Sequence, residues 1–487
     1  MSKLMNTRLN APRKRGKPNM TGRNVSPCPA EKLKAILTST DSLSLSPSGD
    51  LMLEGCVLND LLVRFGSPLY VISETTLRTN YRRVQKAFGN AWPSAVTVLY
   101  AIKANNNLAV RAILHQEGAG GDCFGESELY ATFRGGANPE KIVLNGSNKS
   151  QSLLRKAVEF GVVINIDSED EIDFLSDLAL ESQGSIRVLI RLKLTSPDFA
   201  SISSDYFGGP NLTEYARRSK WGFSPEAAER IVRRIQKMRG LRLLGYHFHI
   251  GRASREVLFR ERWAKAFALT AIELQRKTGY APLVLDIGGG WPRERDPESR
   301  SLDLNPTPIE EYARVVCSTL LQELEKVSWH LPQLWLEPGR YIVGNAAVLL
   351  ATAGAVKRDL GLTWVNLDTS TNSLMRIDTS GSAHHLFPAT KMYRESQEKV
   401  TFVGETCVDS IFSTDCLMPQ IGRGEPIVIL DAGMYAETCS TQFNGIPRPA
   451  TVLVSGSQAE IIKEREAISD VFSKHRLLER LRAPVTA

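Results

Sequence analysis

The sequence predicts an α/β chain: a (β/α)8 TIM-type barrel accompanied by a smaller β domain. Three observations carry this. Eight short apolar runs alternate with helical patterns between about residues 95 and 340. On either side the texture changes to short β-rich runs separated by turn residues. The 487 residues, 42% hydrophobic and 23% charged, supply core material for more than one domain.

In order, the predicted strands are AVTVLYAI leading to Lys103, GAGGD at Asp122, KIVLN ending at Asn145 and VVINID ending at Asp167. They continue with RVLIRL around Arg191, LLGYHFHI running up to Gly251, LVLDI before Gly288 and LWLE at Glu337. Between them SQSLLRKAVEF, SEDEIDFLSDLA and PEAAERIVRRIQKM repeat apolar residues at three- and four-residue spacing, the signature of helices. Ser168 followed by Glu171 predicts a capping box. The barrel is placed at 75–340. The β domain, a sandwich or barrel-like unit, is assembled from both chain ends, 46–74 and 341–465. The first part is DLMLEGCVLNDLLVRFGSPLYVIS; the second contains TWVNLD, KVTFVG, PIVILDAG and ATVLVSG. Residues 466–487 read as a tail or helix.

Charge is unevenly distributed. Sixty Lys and Arg against 53 Asp and Glu leave +7. Lys3, Arg8, Arg13, Lys14, Arg15, Lys17 and Arg23 precede the first acid and account for that excess. The rest is near neutral, so no nucleic-acid partner is predicted. Residues 1–45 read as a basic, disordered tail. An organelle-targeting peptide is the alternative, on an Arg-rich and acid-poor composition that lacks an amphipathic repeat. No run of eighteen apolar residues occurs, so no membrane partner is expected. Cys28, Cys56, Cys123, Cys317, Cys407, Cys416 and Cys439 are odd in number and form no C-x-x-C pair. They read as reduced thiols of a cytoplasmic protein, without a disulfide framework or structural zinc.

Barrel enzymes work at the C-terminal ends of their strands. The polar residues there are Lys103, Asp122, Asn145, Arg191, His249, the run Gly288-Gly289-Gly290, and Glu337. A lysine closing an apolar strand is expected to be desolvated, which lowers its pKa and favours a neutral amine nucleophile. Three glycines let backbone N–H groups approach a phosphate closely. Glu337 and Arg340, in EPGR, add a carboxylate and a cation at the same mouth. His247 and His249 share one strand face. With no third ligand in view they do not make a metal site, and no metal is predicted; a histidine stacked on an aromatic cofactor is the other reading.

YAIKANN, SKWGF, HFHIG, DIGGGWP, EPGRY and LDAGMY follow one another within residues 50 to 456. Together they resemble the pyridoxal phosphate (PLP) decarboxylases of the alanine-racemase-type barrel fold, which include diaminopimelate and ornithine decarboxylases. The resemblance implies PLP in Schiff-base linkage to Lys103, His249 stacked on its ring and Glu337 paired with the pyridine nitrogen. It further implies Gly288, Gly289, Gly290, Arg340 and Tyr435 at the phosphate, Asp122 and Arg191 among the cofactor contacts, and Glu128 supporting the lysine. Cys407, in VGETC, takes the place of the family's Cα-protonating cysteine. It would reach the site from a partner subunit, which implies a homodimer with shared sites. Alanine racemases place an arginine where Glu337 stands, so the resemblance favours decarboxylation over racemisation.

The substrate half departs from the family's patterns. C-E-S of diaminopimelate decarboxylases, or C-D-G of ornithine decarboxylases, becomes Cys407-Val408-Asp409. R-P-x-L-Y becomes Arg376-Ile377-Asp378-Thr379-Ser380, and HIGS becomes His249-Ile250-Gly251-Arg252. Arg376, Asp368 and Asp409 are the substrate-binding candidates. The expected activity is that of an amino-acid decarboxylase, diaminopimelate decarboxylase-like and hence in lysine biosynthesis. Alternatives are another diamino acid (ornithine or lysine, L or D) or an amino-acid-bearing siderophore or antibiotic intermediate. A catalytically dead regulatory binding protein of the same fold is the alternative from another class, and the presence of lysine, cysteine and phosphate contacts argues against it.

Overall fold

Eight parallel strands close into a barrel: Val96–Ala101, Gly120–Cys123, Ile142–Leu144, Val163–Ile166, Ile186–Arg191, Leu241–His247, Val284–Asp286 and Gln333–Leu336. The last returns to the first, with Leu334 paired to Val96. The structure, a computed structural model, describes residues 27–182, 184–195, 212–249, 251, 255–327 and 329–482. Leu99, Val143, Val163, Leu189, Leu244, Val284 and Trp335 fill the barrel interior, a packed layer that leaves the chemistry to the strand ends.

Helices alternate with the strands, and side chains start several of them. Ser73, Asn107, Ser150 and Ser224 cap the helices Glu74–Ala91, Leu108–Gln116, Gln151–Glu159 and Pro225–Ile235, each accepting a backbone N–H of the first turn. The capping box expected at Ser168 is altered. Glu171 reaches back to the Asp167 N–H at 3.3 Å, and its other oxygen pairs with the fully buried Lys149 at 3.0 Å. A buried ammonium needs that carboxylate more than the helix end does.

The second domain is built from both chain ends. Its strand Leu69–Ser73 pairs antiparallel with Ala347–Asp359 and parallel with Ala450–Ser455. These lie within a nine-stranded mixed sheet. Two sequence expectations are corrected here. Within 50–73, Leu58–Phe65 is a helix, with Leu58, Leu61 and Leu62 buried at helical spacing. The region assigned to a disordered tail becomes ordered well before residue 45: Pro29–Ile36 is a helix and Leu43–Leu45 pairs with Leu51–Leu53. Leu33 and Leu43 enter the same apolar core as Leu51 and Val428, so burial of these leucines outweighs the tail's charge. Residues 1–26 and Arg252 lie outside the described residues.

A buried cation ties these parts together. Arg295, on the loop after the seventh barrel strand, bonds Asp431 at 2.6 Å and Asp41 at 2.9 Å, all three side chains 4% exposed or less. One guanidinium thereby joins the amino-terminal segment, the barrel and the turn LDAGMY of the second domain. Among the described residues, no helix is long and apolar enough to cross a membrane.

Candidate active site

The first barrel strand ends in the tight turn Ile102–Ala104, which directs Lys103 into the barrel mouth. Its ammonium pairs with Asp122, at the end of the second strand. Asn145, just beyond the third strand, donates through Nδ2 to Asp122 Oδ1 and to Glu337 Oε1, both at 2.7 Å. Asn145 Oδ1 accepts from Asn165 Nδ2 of the fourth strand at 2.6 Å. Glu337, after the eighth strand, completes the row with His247 Nε2 at 3.2 Å. Lys103, Asp122, Asn145, Glu337 and His247 therefore form one continuous hydrogen-bonded chain across the mouth.

The electrostatics reverse one expectation. Burial alone would lower the Lys103 ammonium, but Asp122 and then Glu337 outweigh it and hold the pKa above its ordinary value. Lysine was expected to be a neutral amine at rest; two carboxylates from other strands keep it protonated. Burial, with Glu337 behind it, raises the Asp122 carboxyl. Burial also opposes charge on Glu337, yet His247 and Lys103 hold that carboxylate below the usual range. Burial of Asp286 pushes its carboxyl well up.

His249 has its pKa well below the ordinary value, chiefly through burial. Its Nδ1 accepts the Gly289 N–H at 3.0 Å. A ring nitrogen that accepts a backbone proton carries none, so the imidazole is neutral with hydrogen on Nε2. His247 and His249 lie nearly parallel, 9° apart with centroids 6.5 Å apart. His247, Asp286 and Glu337 offer ligand atoms within 4.8 Å of one another, a trio the sequence did not suggest. Hydrogen bonds already engage it: Glu337 takes His247, and Asp286 Oδ1 accepts the Gly288 N–H at 2.9 Å.

The glycine run has a packing reason of its own. A Cβ on Gly289 would lie 2.0 Å from the Glu337 carbonyl oxygen, and Gly288 has φ +63° with His249 against it. Gly289 is thus needed for the approach of two strand ends, and its N–H serves His249. Gly290 is fixed differently, its carbonyl accepting from the buried Arg260 at 2.6 Å.

The second domain closes the mouth. Tyr435 N–H donates to the Ala104 carbonyl at 2.8 Å, and Thr438 Oγ1 to the Lys103 carbonyl at 3.2 Å. Arg340 and Arg376 approach the Tyr435 ring at 6.0 and 5.3 Å. Arg191, 4% exposed, lies 4.7 Å over Trp221. Glu128 accepts the Phe124 N–H at 2.8 Å, and burial raises its carboxyl.

The structure thus brings Lys103, Asp122, His249, Gly288, Glu337, Arg340, Arg376 and Tyr435 together. Three candidates stand apart. Asp368 accepts the Thr352 N–H at 2.7 Å inside the second domain. Cys407 and Asp409 sit on an exposed loop between Glu398–Val403 and Ile411–Met418, where Cys407 N–H donates to Asn444 Oδ1 at 3.1 Å. Sequence reasoning missed Asn145 as the hub of the chain, although it was visible as a polar strand end. It also missed Glu298, which lies in a loop with no periodic signal.

These groups fit a phosphorylated pyridine cofactor: a lysine nitrogen, an ionised carboxylate across the mouth, and a flat neutral imidazole near both. Arg340 adds a cation beside Tyr435, while the Gly288 and Gly289 N–H groups are taken by Asp286 and His249.

A family model for the pyridoxal-binding domain of pyridoxal-dependent decarboxylases matches residues 74–344. A diaminopimelate decarboxylase of Methanothermobacter thermautotrophicus is 32% identical, the match covering 90% of this chain and 98% of that protein. One from Archaeoglobus fulgidus is 33% identical, over 88% and 98%. The crystal structure of diaminopimelate decarboxylase from M. jannaschii superposes with a TM-score of 0.83 at 25% identity, covering 91% of this chain and 99% of that one.

Proposed function

The chain belongs to the pyridoxal-dependent decarboxylase family, and from that membership we propose that it releases carbon dioxide from Cα of diaminopimelate or a close analogue. It is a PLP-dependent carboxy-lyase. The observation that carries the site reading is the hydrogen-bonded chain joining the Lys103 ammonium to the Glu337 carboxylate through Asp122 and Asn145. PLP, when bound, supplies an electron-poor ring that accepts the electron pair left at Cα as carbon dioxide departs. Lys103 would hold the cofactor through Nζ. Asp122, paired with Nζ, would take the proton that the Lys103 ammonium must lose to act as an amine. Glu337 would hold a proton at the ring nitrogen, His249 would cover one ring face, and Arg340 with Gly288–Gly290 and Tyr435 would bind the phosphate. Arg191 borders the ring pocket.

Diaminopimelate as substrate rests on the two relatives matched over nearly their whole length. Arg376 is the group for a second carboxylate. With Asp368 tied to Thr352 and Val408 apolar, Asp409 is the remaining candidate acid for a distal ammonium, reaching it, like Cys407, from the partner subunit. Carbon dioxide release measured over meso-diaminopimelate and both enantiomers of lysine and ornithine tests this. Turnover is expected to be highest on diaminopimelate. Release from none of the five overturns the assignment.

The proposed assembly is a cytoplasmic homodimer, supported by seven free cysteines and by the exposure of Cys407. Cys407 protonates Cα in the partner subunit's site. Mixing inactive Lys103→Ala and inactive Cys407→Ala proteins should restore up to about a quarter of wild-type activity, one intact site per mixed dimer. Demonstrated subunit exchange with no recovery would show that each site is complete within one chain.

A further inference from the structure

After the glycine run the chain turns through Pro297–Ser299, capped by Asp296, which accepts the Glu298 N–H at 3.1 Å. Three contacts pin this turn to the second domain around the short helix Arg376–Ser380. Arg376 Nε donates to Glu298 Oε1 at 2.6 Å, Arg300 Nε to the Ser380 carbonyl at 2.8 Å, and Ala383 N–H to the Pro297 carbonyl at 2.9 Å. The other Glu298 oxygen takes Arg340 Nη2 at 2.5 Å. Glu298 is 1% exposed, and the two guanidinium groups it joins share the Tyr435 ring.

Two cations brought to one aromatic face repel each other unless an anion stands between them, and a carboxylate accepting from both also fixes their planes. The two cations are not equally dependent on it. Arg340 has a second acid, Asp296, at 3.5 Å. For Arg376, Glu298 is the acid paired with it among the described residues. That contact engages the Nε edge of a side chain that is still 26% exposed, leaving the Nη edge for a ligand.

We propose that Glu298 is a positioning residue that holds Arg376 by its Nε edge so that the Nη edge receives the substrate's distal carboxylate, selecting dicarboxylic amino acids. The proposal rests on the diaminopimelate reading above. It adds a specificity determinant from the barrel loop to an arginine supplied by the second domain. Selection then depends on the docking of the two domains as much as on the pocket's own side chains.

The test uses the PLP-loaded protein, wild type and Glu298→Gln, with diaminopimelate as the dicarboxylate and cadaverine, a diamine with no carboxylate, as the probe that cannot meet Arg376. Glu298→Gln should raise KM for diaminopimelate about tenfold while kcat falls by no more than about threefold. The inhibition constant of cadaverine should move by less than about twofold, since it has no carboxylate for Arg376 to meet. Equal weakening of both ligands would show a merely structural glutamate, and no change in either would overturn the proposal as well. Binding of both ligands is also read from the visible absorbance of the holoenzyme. If wild type does not turn over diaminopimelate, the substrate reading fails, while the absorbance titration still decides whether Glu298 separates the two ligand classes.

Discussion

Lys103→Ala is expected to lower turnover by about a thousandfold or more and to remove the visible absorbance of lysine-linked cofactor. Asp122, Glu337 and Asn145 keep their mutual contacts in that variant, because Asn145 and not Lys103 bridges the two carboxylates. The fold should therefore survive, and the protein should still take up cofactor reversibly. Loss of the ammonium leaves Asp122 and Glu337 without the cation that offsets them, which raises both carboxyls and weakens the grip on the ring nitrogen. Absorbance and steady-state carbon dioxide release measured together decide the matter. A variant that retains both would mean that another amine holds the cofactor.

The second large effect is at Glu337. Glu337→Gln keeps the shape and the hydrogen bond to Asn145 but removes the charge that holds a proton at the ring nitrogen. A fall of about two to three orders of magnitude in kcat is expected, with cofactor still bound. Near-wild-type turnover would assign that proton to a different group. In the wild type His247 and Lys103 hold Glu337 below the usual carboxylate range. It therefore stays ionised throughout the mildly acidic range, and the acid limb of the kcat profile belongs to some other group. A limb that disappears in Glu337→Gln would contradict this.

Much of the fold was legible because of how parallel strands are buried. Most barrel strands have apolar residues on both faces and stood out as runs closed by a polar residue that marked the mouth; the second, Gly120–Cys123, is glycine-rich and was placed by the alternation of its neighbours. The helix Leu58–Phe65 was not legible. Its apolar residues continue the run that begins at Leu51, and a short apolar stretch reads equally as strand or helix. The helix Pro29–Ile36 was hidden by the charge of the chain before it. The protonated state of Lys103 could not be read from VLYAIK alone, since the carboxylates that set it arrive from the second and eighth strands. Glu298 was invisible for a similar reason. Its partners lie 42 and 78 residues away, and only tertiary packing selects them.

The central strand Leu69–Ser73 carries a consequence for biosynthesis of the chain. It leaves the ribosome before the barrel, yet its hydrogen-bonding neighbours, Ala347–Asp359 and Ala450–Ser455, follow only after the barrel has been made. A nascent chain can thus close the barrel while this strand still waits, with an unpaired apolar edge, for the end of translation. Tyr435 and Thr438, which brace the Lys103 turn, also arrive with that last segment. Capture of cofactor in its final geometry is therefore a post-translational event, and ribosome-bound chains truncated before Ala450 should be the species that chaperones must shield.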